Sequence, residues 1–244
     1  MLLAVDIGNS ATKFGLFEGD TLTEKFSIPT KRNTSAGEIK RDVGERLGSV
    51  ESAIVCSVVP ELEGAMYEFV RNAIGIGPTF VDNYFDFGLK VNYEPLESLG
   101  TDRLVAAFSA VEKYGAPCIV CSLGTATTID VVSESREFIG GLIAPGMDAM
   151  AEALHAKASK LPKVEVVKPE SVIGNSTNGA IQSGVYYGYV AMLEGLISRI
   201  RKESGISKVV GTGGNAVSVS ADLDGIMTVD FDLTLNGLGI LAKR

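Results

Sequence analysis

The chain opens on an apolar run, Leu2-Leu3-Ala4-Val5. It ends in Asp6-Ile7, reverses through Gly8-Asn9-Ser10 and leaves as a second stretch, Ala11 to Phe17, whose side chains alternate in polarity. An apolar run closed by turn residues and followed by period-two alternation predicts a buried strand paired with its successor. A third strand is expected over 21–28 and a polar loop over 29–34. Ser35-Ala36-Gly37-Glu38 has the spacing of a capping box and predicts a helix to about residue 47. The apolar stretch 53–59 predicts a strand that Pro60 stops, and the same proline suits the first turn of a helix running to about residue 74. A short strand over 79–81 completes the order βββαβα plus a strand.

The pattern then begins again. Residues 91–99 read as a loop, and Gly100-Thr101-Asp102-Arg103 introduces an amphipathic helix over 104–114. Three more strands are expected over 118–123, 127–132 and 138–143, with a helix over 148–156 after Pro145-Gly146. Residues 160–176 read as extended or loop. The long helix over 180–202 carries apolar residues on more than one face, which predicts burial between layers or against a second subunit. Strands over 208–211 and 226–229 flank a short helix, and a closing helix is expected over 233–242.

Within this second half, Cys121-Ser122-Leu123-Gly124-Thr125-Ala126-Thr127-Thr128-Ile129-Asp130 repeats the logic of the opening: strand, glycine, small hydroxyl residues, strand. Gly8 matches Gly124 and Thr12 matches Thr128, each 116 residues apart (8 to 124, 12 to 128). A third glycine-rich turn, Thr212-Gly213-Gly214-Asn215, follows a short apolar strand and suits a path beneath an adenosine. The expected division is two domains, 1–115 and 116–244. Their order resembles the fold shared by actin, the Hsp70 ATPase domain and the sugar kinases. That is an α/β architecture of duplicated ribonuclease H-like (actin-like ATPase) domains facing across a cleft.

Composition narrows the class. The 244 residues are 45% hydrophobic and 21% charged, a balance that supports an ample core. A formal net charge of −8 argues against nucleic acid and anionic membrane surfaces as partners. No apolar stretch reaches membrane-spanning length and the N-terminus enters a strand without a signal-peptide layout, so the cytoplasm is the expected compartment. Cys56, Cys118 and Cys121 give no disulfide framework. Cys118 and Cys121 stand three apart in a strand and point to opposite faces, so they read as buried small hydrophobes. His155, the single histidine, excludes a histidine-rich metal site.

The opening turn directs backbone N–H groups and small hydroxyls into one concavity suited to phosphate oxygens. A carboxylate beside phosphates needs a cation between, so Asp6 reads as holding Mg²⁺, directly or through water. Taken alone, the stretch fits an ordinary β-hairpin better, because such short motifs recur by chance. Lys13 either reaches phosphate oxygens or is the exposed member of an alternating strand. Asp102 at a helix start either caps the backbone or serves as a base, and Thr101 is an equal candidate for the cap. Tyr93 lies in a loop, open to ligand or packed on the core. Thr177, in Gly174-Asn175-Ser176-Thr177, is another cap candidate.

Together these residues resemble the type III pantothenate kinases. The resemblance rests on Asp6-Ile7-Gly8-Asn9-Ser10, Gly100-Thr101-Asp102-Arg103 and Gly124-Thr125-Ala126-Thr127-Thr128. It extends to Gly140-Gly141-Leu142-Ile143-Ala144-Pro145-Gly146, Lys160-Leu161-Pro162, residues 177–184 and Thr212-Gly213-Gly214. It implies transfer of the ATP γ-phosphate to the 4′-hydroxyl of pantothenate, with Asp102 as proton acceptor. Asp6, Ile7, Gly8, Asn9, Ser10, Ala11, Thr12 and Lys13 would form the first phosphate loop, and Thr125 would contact ATP from the second. Tyr93, Gly100, Thr101, Asp102, Arg103 and Thr177 would hold pantothenate. The implied cofactors are Mg²⁺ and a monovalent cation, K⁺ or NH₄⁺, and the implied assembly is a homodimer.

Two positions depart from the family: Ser10 stands where threonine is usual, which keeps the hydroxyl, and the second matters more. Ser122 stands where an Asp is usual, and that Asp is the family's monovalent-cation ligand. A neutral serine leaves open weaker potassium binding, independence from potassium, or lost activity. Two other readings follow: a non-catalytic regulatory relative of the Bvg accessory factor type, or a same-fold kinase for another small alcohol.

Overall fold

Burial on both faces makes Leu2–Ile7 (β1) the centre of the first sheet. The computed structural model describes residues 1–223 and 227–244, and it divides into two units. Met1–Lys113 with Asp232–Arg244 form the first, and Tyr114–Phe231 the second.

In the first unit β1 pairs antiparallel with Ala11–Glu18 (β2), which pairs with Thr21–Pro29 (β3). On its other side β1 runs parallel to Ser52–Ser57 (β4), and β4 to Thr79–Val81 (β5), giving the order β3-β2-β1-β4-β5. The crossover helices Ala36–Val43 (α1) and Pro60–Ile74 (α2) pack together and cover one face through Ile39, Val43, Leu62, Met66 and Phe69. The capping box at the start of α1 forms as expected, Ser35 Oγ accepting from the Glu38 N–H. The helix ends at Val43, short of residue 47, because Gly44 adopts φ +67° and its N–H closes on the Lys40 carbonyl. A two-residue strand, Lys90–Val91 (β6), and a short 3₁₀ turn, Leu96–Ser98, lead to Thr101–Tyr114 (α3).

The second unit repeats the plan. Cys118–Leu123 (β7), Ala126–Val132 (β8) and Glu137–Pro145 (β9) form an antiparallel meander. Val209–Thr212 (β10) and Thr228–Val229 (β11) add in parallel on the other side of β7. Of the last expected strand, 226–229, residue 226 lies outside the described residues. Met147–Lys157 (α4), Thr177–Ser204 (α5) and Gly214–Val219 (α6) cover this sheet, and Tyr186, Tyr189, Leu193 and Ile197 of α5 are fully buried. The apolar residues of α5 serve one core. Met192, Leu196 and Ile200 pack at its margin, whereas Glu194, Ser198 and Arg199 are exposed.

The boundary differs from a simple cut at 115/116. The closing helix Leu233–Leu241 (α7) packs on β1, β2 and β4, so residues 232–244 count with the first unit instead of with 116–244. Cys118 and Cys121 are both buried, with Cys121 in the core against α5. Burial pushes their thiols up to about 11 and about 12.

Candidate active site

In the first unit β1 and β4 end together, with Asp6 beside Cys56 and Ile7 beside Ser57. The carboxyl ends of parallel strands are where open α/β sheets take ligands. Asp6 is buried, which raises its carboxyl above the usual range, and Lys13, paired with it across the hairpin, opposes that shift. Lys13 Nζ lies 3.6 Å from Asp6 Oδ2. Lys13 is therefore aimed at this edge of the sheet and does not simply stand in solvent.

The reversal is fixed by four bonds. The Gly8 N–H donates to the Ala11 carbonyl at 3.1 Å, and the Thr30 N–H donates to the Ser10 carbonyl at 3.0 Å. Thr30 Oγ1 donates to the Gly8 carbonyl at 2.7 Å and accepts from Thr12 Oγ1 at 2.9 Å. Arg32 reaches Asn9 Oδ1 and Glu61 Oε1, each at 3.4 Å.

Thr101 and Asp102 arrive at the same edge from the start of α3. Thr101 does not take the expected capping role, whereas Asp102 bonds a backbone N–H of the first turn. Gly100 occupies the cap position, its carbonyl accepting from Arg103 and Leu104. Thr101 Oγ1 instead donates to the Ser57 carbonyl at 3.0 Å and accepts from Cys56 Sγ at 3.3 Å, which ties α3 to the end of β4. Asp102 Oδ1 accepts from the Arg103 N–H at 2.8 Å. A Cβ on Gly100 would lie 2.5 Å from that same oxygen, so the glycine leaves room for the carboxylate. Burial, then the negative charges of Asp6 and Asp102, hold the Cys56 thiol well above its usual range. One buried sulfur thus senses both carboxylates. Arg103 is buried, its guanidinium 5.4 Å from the Tyr93 ring centroid and 3.5 Å from its hydroxyl. Asn83 donates to the carbonyls of Leu96 and Leu99, holding both ends of the turn that delivers Gly100.

In the second unit Gly124 and Thr125 join β7 to β8. Leu123 pairs with Thr127, whereas in the first hairpin Ile7 pairs with Thr12. The second turn is one residue shorter, so the counterpart of Thr12 is Thr127 and not the expected Thr128. Two glycines, Gly146 and Gly213, pack closely against the turn. The Gly146 N–H donates to the Thr125 carbonyl at 3.1 Å, and a Cβ there would fall 2.1 Å from the Gly124 oxygen. Gly213, at φ +97°, leaves no room for a Cβ against the Leu123 backbone. Ser122 lies abreast of Thr128 in β8 and Thr212 in β10, and Thr128 donates to the buried Asp130 carboxylate at 3.2 Å. Thr177 is the first residue of α5, and Ser176 makes the cap, its Oγ accepting from the Gly179 N–H. Thr177 lines an apolar groove of about 730 Å³ beside Met150, Leu154, Leu161, Ile181 and Val185.

A family model for type III pantothenate kinase matches residues 2–199. The chain is 40% identical to the type III pantothenate kinase of Brevibacillus brevis, across all of this chain and 99% of that protein. It is 36% identical to that of Geobacillus kaustophilus, across all of this chain and 98% of that protein. This chain belongs to the type III pantothenate kinase family. Among solved structures it is similar to one described as a Baf family transcriptional activator from Campylobacter jejuni, with a TM-score of 0.63, 20% identity, and coverage of 99% and 97% of the two chains. A ROK family glucokinase from Streptomyces griseus gives 0.57 at 12% identity, covering 99% and 98%. These likenesses show the fold, an actin-like ATPase and sugar-kinase architecture.

A type III pantothenate kinase is an ATP-dependent kinase that works with a divalent metal. Among the described residues no three or more His, Cys, Asp or Glu side chains gather into a metal-holding group. A single carboxylate such as Asp6 fits Mg²⁺ that keeps phosphate oxygens and waters as its other ligands. Thr30, Asn83 and Tyr189 are polar residues near these loops that sequence reasoning missed, whereas Asn215 stands in the third glycine-rich turn it picked out. Each of the three missed residues acts through a contact distant in sequence, and no local motif marks it.

Proposed function

We propose that this kinase transfers the ATP γ-phosphate to the 4′-hydroxyl of pantothenate, giving 4′-phosphopantothenate and ADP, the first step toward coenzyme A. The observation that carries the reading is the first turn of α3. It presents Asp102 at the strand edge that also holds Asp6, beside the buried Arg103 and its Tyr93 partner. Asp102 accepts the hydroxyl proton as the alcohol oxygen forms its bond to the γ-phosphorus. The bond from that phosphorus to the β,γ-bridging oxygen breaks, and ADP keeps the electron pair. Arg103 offers a charged fork to the substrate's carboxylate, with Tyr93, Gly100, Thr101 and Thr177 as further substrate contacts. Residues 6–13 and Thr125 take the nucleotide's phosphates. Mg²⁺, when bound with ATP, neutralises phosphate charge, and Asp6 is the residue that would hold it.

A monovalent cation, K⁺ or NH₄⁺, belongs to this reading at Ser122. There Ser122, Thr128 and Thr212 offer neutral hydroxyls on neighbouring strands, with the buried Asp130 carboxylate behind Thr128 as the negative charge beside them. A homodimer is supported by the outer side of α5, where Gly184, Gly188, Ala191 and Gly195 are exposed along the helix. Three free, buried cysteines support a cytoplasmic location.

Coupled ADP release with and without pantothenate tests the reaction. Asp102→Asn is expected to lower kcat by about 10²-fold or more while leaving the circular-dichroism spectrum unchanged. A near-wild-type rate removes Asp102 from the mechanism. Nucleotide binding without turnover on pantothenate would instead favour the regulatory reading that Ser122 motivates. Turnover on another alcohol would favour a different substrate.

A further inference from the structure

The two phosphate-loop hairpins share a feature that lies beneath the residues assigned to ATP. In each, the carbonyl of the turn glycine is captured by a side chain from elsewhere in its own unit, and the first threonine of the outgoing strand is bonded into the same group. In the first hairpin one residue does both. Thr30, just past β3, donates to the Gly8 carbonyl at 2.7 Å and accepts from the buried Thr12 at 2.9 Å. In the second hairpin two residues divide the task. The Asn215 amide at the start of α6 donates to the Gly124 carbonyl at 3.1 Å and also to the Tyr189 hydroxyl. Tyr189, fully buried in α5, lies 2.6 Å from Thr127 Oγ1, and Thr127 is the positional counterpart of Thr12. The Tyr189 hydroxyl thus sits between Asn215 and Thr127 and joins the strand's threonine to the side chain that holds the glycine carbonyl.

The consequence follows from the planar trans peptide, in which C=O and N–H point in opposite directions. Holding the Gly8 carbonyl toward Thr30 aims the Asn9 N–H the other way. Holding the Gly124 carbonyl toward Asn215 does the same for the Thr125 N–H. A carbonyl turned toward a phosphate would repel it, whereas an N–H turned there donates to it. The glycines leave the peptide planes able to rotate, so the orientation must come from outside the turn.

We propose that Thr30 in one hairpin and the Asn215–Tyr189 pair in the other are positioning residues. They hold the glycine carbonyls of the two turns away from the nucleotide, so that the Asn9 and Thr125 N–H groups stay directed at anionic phosphate oxygens. This rests on the reading that these hairpins hold ATP. It adds that a helix and a strand end remote in sequence set their donor geometry.

Calorimetric binding of the Mg²⁺ complex of a non-hydrolysable ATP analogue to the full-length protein tests this, beside steady-state kinetics and thermal midpoints. Thr30→Val and Tyr189→Phe keep shape and remove one hydroxyl each. Each is expected to weaken analogue binding about tenfold and to raise the KM for ATP in step, with the KM for pantothenate within about twofold of wild type. Thr30→Ser, which restores a hydroxyl, is expected to recover binding to within about threefold. Analogue binding unchanged in both variants overturns the proposal. So does a loss that tracks the thermal midpoint and raises both KM values together, since that pattern belongs to general destabilisation. A wild-type protein that binds no nucleotide overturns both this inference and the kinase reading. Wild-type binding without turnover on pantothenate overturns the reaction alone.

Discussion

At the scale of single residues, local sequence carried the candidate site and non-local packing carries the contacts around it. Asp6, Gly8, Gly100 and Asp102 stand out because a strand end, a tight turn and a helix start each demand particular residue types within a few positions. The capping expectation for Thr101 failed because β4 offers its hydroxyl a better acceptor, the Ser57 carbonyl, which no local pattern reveals. Ser122 is the residue whose consequence is most directly testable. Aspartate at this position puts a carboxylate among the hydroxyls themselves, where the nearest one now is Asp130 behind Thr128, so Ser122→Asp is expected to lower the potassium concentration for half-maximal turnover about tenfold. Identical potassium curves for the two proteins would remove the cation from this position. The cysteines make a second residue-scale prediction. Unfolded thiols ionise near 8.5, whereas Cys118 and Cys121 ionise only near 11 and 12 when folded. Across that interval the folded state retains protons that the unfolded state has lost, so stability falls as pH rises. Between pH 9 and 10.5 the loss should approach about 1.4 kcal/mol per pH unit for each thiol. Denaturant titrations of wild type against Cys118→Ala and Cys121→Ala check it, each variant showing the shallower slope.

At the scale of elements, hydrophobic period found nearly every strand and helix, and the errors lie at the ends. The long helix begins at Thr177 and not at residue 180, because Ser176 supplies a cap that outweighs the poor helix propensity of Asn178 and Gly179. Its apolar residues wrap more than one side of a helical projection, yet they serve a single core that is deep enough to cover them. Register also escaped the sequence. Matching Gly8 to Gly124 gave one offset for the whole hairpin, whereas the shorter second turn shifts the strand partners by one. Close approach of helices is equally hidden. A Cβ at Gly237 of α7 would lie 2.9 Å from the Ser109 Cβ and 3.0 Å from the Val105 carbonyl of α3. Gly237→Ala therefore overpacks this crossing, in spite of the better helix propensity of alanine. It is expected to cost about 1–3 kcal/mol in chemical denaturation. A stabilised variant would show that the two helices can separate freely.

At the scale of the whole molecule, the chain is a duplication with one element out of sequence order. Reading straight along the chain suggests a division near residue 115, because the repeated βββ pattern begins there and nothing in the last thirteen residues, 232–244, indicates which half they join. The helix α7 joins the first, and its leucines show why. Leu233, Leu235, Leu238 and Leu241 are each at most 4% exposed, packed in the first unit. Full burial of a leucine side chain is worth about 1.5–3 kcal/mol, so the four together contribute about 6–12 kcal/mol, comparable with the whole stability of a typical domain. A stop codon replacing Asp232 removes them all, and the second unit loses none of its own residues. Hydrogen exchange of the truncated chain should then show β1, β2 and β4 exchanging at near-unfolded rates, with the amides of β7, β8 and β9 still protected. Protection retained in β1 would mean that the first sheet stands without α7. Equal loss in β7 would mean that the second unit cannot hold its fold unless the first is intact. Only the split outcome agrees with two separately cored units, the first of them completed by the last residues of the chain.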